Sequence, residues 1–278
     1  MPMTNPNDDL APYADALSTI TQVSRDAYKL YTHLSPNRSE KYDDLVKQSV
    51  SIAHSITSAI TSLLDQNLHI AAIALTRVRL EHVIVFSYLV HEKPEEGFGP
   101  YSRYAPIQEY RTMRAVLADE FLAPHIPAPV DLEALNTGAL DAQLGIDPGF
   151  DITKGKYQPK WTSLDLPSMA QRRDKLAASV GWIYSKAVPL TSLYTAFYRI
   201  ASSPVHGDAS MLGTPFWGPL KGLDGVERDS ASFWRLLIPS NLAAYDSLQC
   251  YEALRWLGVV CDTQFAALTR QLIEDRGA

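Results

Sequence analysis

Two stretches of the chain carry side chains able to do acid–base or phosphate chemistry. The denser one contains Tyr194, Phe197, Tyr198, Arg199, Ser202, Ser203, Pro204, His206, Gly207 and Asp208. His206 is the side chain best suited to proton transfer near neutral pH. Arg199 presents a planar fork that can hold a phosphate or a carboxylate. A helix would bring Tyr194 and Tyr198, four apart, onto one face. Pro204 then breaks the helix and Gly207 relaxes the backbone. The segment reads as a phosphate-plus-proton-transfer constellation. It reads equally as a structural one, with His206 capping a helix end and bonding to a buried carboxylate such as Glu81.

The second stretch sets Arg77 and Glu81 on apolar ground. Ile70 to Leu75 precede them and Val83 to Val90 follow. A helix apolar almost all round belongs in the centre of a bundle. Arg77 and Glu81 share one of its faces, and a buried charge is costly unless paired. Two readings stand: an internal ion pair that fixes helix register, or the charged floor of a polar pocket. Arg79 and His82 point elsewhere by helical geometry and are expected at the rim or surface.

A third feature is a basic segment. Lys154, Lys156, Lys160, Arg172, Arg173 and Lys175 face only Asp165 and Asp174, with Tyr157 and Trp161 among them. Basic residues interleaved with aromatics suit a nucleic-acid contact. The alternative is a solvated surface over buried aromatics. No His-Glu-x-x-His or zinc-spaced Cys pair occurs, so no metal and no cofactor is expected. Gly97-Phe98-Gly99-Pro100 is expected to be a turn.

These residues need positioning, and helical periodicity supplies it. Apolar spacings of three and four predict helices over about 8–31, 40–65, 68–91 and 104–122. Proline and glycine crowd the stretch 124–159, which reads as loop with one short helix near 131–144. Helices resume over 168–180 and 188–201, and one long helix, about 50 Å, is expected from an Asn241 cap to Asp275. The expectation is an all-α fold: one helical domain over 1–278, a bundle of long helices with an irregular excursion at about 124–166.

The 278 residues are 46% hydrophobic and 20% charged, enough for a sizeable core. Lys and Arg number 25 against 31 Asp and Glu, a net charge of -6, which argues against a binder of nucleic acid over its whole surface. Cys250 and Cys261, eleven apart in the expected last helix, exclude a disulfide framework and point to a reducing, cytoplasmic setting. No signal segment or uncharged membrane span is expected.

From about Ala72 to Asp208 the chain resembles a bacterial family of all-α domains of unknown function. The resemblance rests on Arg77-x-x-x-Glu81 with Tyr88-Leu89, Trp161 with Met169-Ala170, Tyr194-x-x-x-Tyr198 and Ser203-x-x-His206-Gly207. It implies a fold and no settled activity. Arg199-x6-His206 also looks like the Arg-x(4–6)-His motif of the HEPN superfamily, many of whose members are metal-independent endoribonucleases in toxin–antitoxin and antiviral systems. That likeness implies catalytic roles for Arg199 and His206 and an active site where two protomers of a homodimer meet. Read as such an enzyme, the chain is expected to use Arg77 and Glu81 in support, to guide RNA with Lys154, Lys156, Lys160, Arg172, Arg173 and Tyr198, and to meet an antitoxin or other partner protein. The alternative is a non-catalytic interaction or ligand-binding module whose Arg/Glu/His cluster is a buried structural network.

Overall fold

The structure is a computed structural model that describes residues 14–37, 39–126, 129–151, 153, 156–198, 201, 220–221, 227–228 and 230–274. The fold is all-α. The elements are α1 (Ala14–Leu34), α2 (Asp43–Asp65), α3 (His69–His91), α4 (Phe98–Ala118), α5 (Leu132–Ile146), α6 (Leu166–Ser179), α7 (Ile183–Ala187), α8 (Leu190–Leu193), α9 (Ser230–Trp256) and α10 (Asp262–Glu274). Among the described residues the only extended pairing joins Leu220–Lys221 to Glu227–Arg228. The chain divides into two compact units, Met1–His91 with Leu166–Ala278, and Glu92–Asp165.

In the first unit, α3 and α9 form the axis. Both are apolar on most sides and bury residues all round: Ile73, Leu80, Val83, Phe86 and Leu89 on α3, and Leu242, Tyr245, Leu248, Tyr251 and Leu254 on α9. Helices α1, α2, α7 and α10 pack on α9, and α2 and α6 pack on α3. Asn67 closes the α2–α3 hairpin at a positive φ of 61°, where the Leu68 N–H reaches the Leu63 carbonyl at 2.8 Å and the Asn67 N–H that of Leu64 at 3.0 Å. Asparagine is among the few non-glycine residues at ease there.

The expected long last helix is two helices. Asn241 lies inside α9, its side chain bonded to the Leu237 carbonyl, and caps nothing. Gly258, at φ 82°, ends the helix: the Val259 N–H bonds to Leu254 and the Gly258 N–H to Arg255. That left-handed step is the conformation glycine adopts without a Cβ penalty. Cys250 and Cys261 therefore fall on opposite sides of a break; both are free and buried, and burial pushes both thiols up.

The second unit packs α4 on α5. Tyr104, Ile107 and Ala139 form its centre, with Tyr110, Tyr157 and Trp161 against them. α4 starts at Phe98, so the expected turn at 97–100 is its first turn, where Pro100 forfeits no intrahelical bond. It stops at Ala118 because the Asp119 carboxylate accepts the N–H groups of Phe121 and Leu122. α5 matches the short helix expected in the excursion, and Asp131 caps it by accepting from Glu133 and Ala134.

Candidate functional site

The Arg77–Glu81 pair forms as expected on one face of α3, Nε to Oε1 at 3.0 Å. It is not sealed: the Arg77 side chain is 14% exposed and that of Glu81 38%. The chain after α8 continues as a π-helical turn, Tyr194–Tyr198. The wider turn carries Tyr194 over Tyr198, with ring centroids 4.5 Å apart and planes at 21°. Such turns recur at functional sites. The Arg77 guanidinium lies 4.7 Å from the Tyr198 ring centre, and its Nη2 donates to the Tyr198 hydroxyl at 2.8 Å. Burial works against the Arg77 charge, but the Tyr198 hydroxyl and Glu81 outweigh it and raise the pKa. The result is a fixed, partly exposed cation flanked by a carboxylate and by the Tyr198 ring, on whose face Tyr194 stacks.

Arg199 follows Tyr198 directly in the chain. Arg199 and His206, like Lys154, lie outside the described residues. Lys156 and Lys160 are exposed in the second unit, and Arg172 is exposed on α6 of the first. Tyr157 and Trp161 are half-buried and packed on Tyr110 and Tyr101, so these aromatics build the second unit's core.

Arg173 differs from the basic residues around it. It is fully buried, and its Nη2 donates to Glu252 at 2.5 Å. Its Nη1 donates to the carbonyls of Ser185 and Val188 at 2.8 and 3.0 Å. Glu252, on α9, also meets Ser87 at 2.5 Å, His91 at 2.9 Å and Ser185 at 2.8 Å. Burial alone would push the Glu252 carboxyl up; Arg173 and His91 outweigh it and hold the carboxyl well below the usual carboxylate range.

Arg79 corrects the expectation of a rim position. It is fully buried and forks onto Asp246 of α9, Nε at 3.2 Å and Nη2 at 2.8 Å. Ser24 of α1 and Thr57 of α2 donate to the same carboxylate. The face opposite Arg77 is interior because α3 is packed on several sides. His82 is half-buried; burial, then the Arg79 charge, lowers its pKa to about 4, against a weaker pull from Gln249. Asp246, Glu252, Ser87, His91 and Ser185 were missed from sequence. Asp246 and Glu252 obey the rule that singled out Arg77: charges on an apolar helix. Applied to 241–256, it finds both.

The Family of unknown function model DUF5677 matches residues 43–219, well over half the chain. The chain belongs to this family. The match bears out the resemblance read from Arg77, Glu81, Tyr194, Tyr198, Ser203 and His206, all of which it spans. No curated protein and no solved structure matches the chain. The matched segment holds Arg79 and Arg173, while Asp246 and Glu252 lie beyond it, so in this chain α9 supplies the carboxylates that these two buried arginines pair with. Among the described residues no group of three or more His, Cys, Asp or Glu could hold a metal, and no helix is long and apolar enough to cross a membrane.

Proposed function

We propose that this family member is an HEPN-like, metal-independent endoribonuclease of a toxin or phage-defence system. The observation that carries the reading is the open Arg77–Glu81–Tyr198 cluster immediately ahead of Arg199. In this reading His206 takes a proton from, or returns one to, a ribose 2′-hydroxyl. Arg199 stabilises the negative charge that builds on the phosphorus oxygens, as preorganised cations do. Arg77 assists, and Glu81 holds its guanidinium in plane. Lys156, Lys160 and Arg172, all exposed, guide the RNA, with Lys154 among them in sequence; Arg173 drops out of this role because it is sealed against Glu252. A homodimer in the cytoplasm, restrained by an antitoxin or other partner protein, is the setting proposed, and two free buried thiols suit it.

The test is RNA cleavage in chelator, wild type beside His206→Ala. Cleavage by the wild type that the variant loses supports the reading. Intact RNA with the wild type, or equal cleavage by both, removes it.

A second reading, a non-catalytic interaction or ligand-binding module, is favoured by a different observation. Two ion pairs, Arg79–Asp246 and Arg173–Glu252, are sealed inside the bundle. In this reading Arg77 and Glu81 extend that network to the surface, and Arg77→Ala lowers stability without touching any reaction.

A further inference from the structure

We propose that two copies of this chain meet through the outer face of the α2–α3 hairpin, as an isologous dimer. The inference rests on the homodimer of the reading above and is independent of its ribonuclease chemistry. Helices α2 and α3 pack on each other, and each sets one side into the core. On α2 that side holds Val46, Val50, Ala53, Thr57 and Ile60. A second apolar stripe runs beside it. Leu45, Ile52 and Ala59 lie seven apart, and Ile56 and Leu63 continue the line. Ile52 is 52% exposed and Ala59 is exposed, while the other three are half-buried. On α3, Ala71, Val78 and Val85 repeat the seven-residue spacing, with Leu75 between the first two. Val78 is 46% exposed. His82 completes the stripe, and burial keeps it neutral.

These stripes are not the solvent side of the hairpin. On α2 the exposed polar side is separate and carries Gln48, Ser51, Ser55, Ser58, Ser62 and Asp65. The helix therefore has three faces: core, water, and an apolar face left outside. Contiguous exposed apolar surface of this kind marks an interaction site.

The spacing specifies the occupant. Apolar positions alternating four and three apart pack against another helix that lies nearly along them. Two neighbouring stripes call for two such helices, and the same hairpin of a second copy supplies both. A two-fold axis suits the charges as well. Arg77 and Glu81 flank the α3 stripe, one turn apart and opposite in sign. A two-fold mate running the other way presents the same pair reversed, so each charge faces its opposite. A face about 25 Å long and two helices wide, about 20 Å, covers about 500 Å² on each copy. The total of about 1,000 Å² is the size at which specific interfaces begin.

Sedimentation equilibrium of the full chain over about 1–100 µM tests the face. The wild type and Ser55→Glu, changed on the polar side of α2, should both reach twice the chain mass. Val78→Glu and Ile52→Glu should each weaken association by at least about tenfold, because each buries a charge in the seam. If Val78→Glu does not keep the wild-type circular dichroism and melting, Ile52→Glu decides, since its side chain is the more exposed of the two. A monomeric wild type overturns the proposal together with the homodimer of the earlier reading. A dimer that survives both substitutions, or one broken equally by Ser55→Glu, overturns this face and leaves that homodimer standing on another. RNA cleavage, scored separately, decides the chemistry.

Discussion

Two arginines on α3, two residues apart, lead opposite lives. Arg79 is sealed and forked onto Asp246, with Ser24 and Thr57 completing the carboxylate's bonds. Arg77 sits at the boundary, bonded to a half-exposed Glu81 and to Tyr198. About half a turn of helix separates a group that holds four helices together from one that can meet a ligand. The lesson is that charge on an apolar helix is only the first filter; the partner's burial decides what the charge is for. A sealed pair is expensive to break because the survivor is stranded. An exposed pair is cheap to break because water replaces the partner.

The sharpest way to break this comparison is Glu252→Ala. Arg173 and His91 would lose their shared carboxylate inside the bundle, and the loss should be roughly 3–5 kcal/mol in chemical denaturation. Asp246→Ala should follow closely, at about 3 kcal/mol or more, because it strands Arg79 and frees two hydroxyls. A loss below about 1 kcal/mol in either variant would place these pairs with ordinary surface ones. Truncation to the family segment 43–219 should give no cooperative unfolding, since it removes both carboxylates and keeps both arginines.

The pH dependence sharpens the same contrast. His82 stays neutral in the folded protein down to about 4, whereas the unfolded chain takes up that proton near 6.5. Between those values the unfolded state binds more protons, so stability falls as pH drops from about 6.5 toward 4. Glu252 acts lower. Its folded pKa is depressed, so its stabilisation is intact above the ordinary carboxylate range and lost as pH falls below it. His82→Gln should flatten the upper window and leave the lower one. An unchanged slope above pH 5 in that variant, in urea titrations across pH, would move the proton uptake to another group.

What could be read from sequence follows the physics of each signal. Periodicity located α2 and α3 within three residues because a hairpin of amphipathic and apolar helices repeats over many turns. The Arg77–Glu81 pair was legible because it is local, one turn apart. Gly258 was passed over because the apolar spacing of 245–272 runs on across the break; only the glycine's left-handed φ distinguishes the two helices. Arg173 looked like surface because its neighbours in sequence are basic, and nothing local says that Glu252, 79 residues on, has come to meet it. The π-helical turn at Tyr194 was likewise hidden, since Tyr194 and Tyr198 share a face in either helix type.

The smallest expected effect carries the most about function. Arg77→Ala and Glu81→Gln should each change stability by less than about 1 kcal/mol, because the pair is open to water on the Glu81 side. Tyr198→Phe removes one hydroxyl and should do the same. If the cluster binds RNA phosphate, Arg77→Ala lowers affinity for a single-stranded oligonucleotide and reduces the salt dependence of binding, while Glu81→Gln frees the guanidinium and leaves the salt slope unchanged. The two variants then separate in binding while staying together in stability. If both instead lose stability by several kcal/mol and neither alters binding, Arg77 belongs with Arg79: the open edge of α3 would be the outer end of one structural network, and the difference between the two arginines would be one of exposure alone.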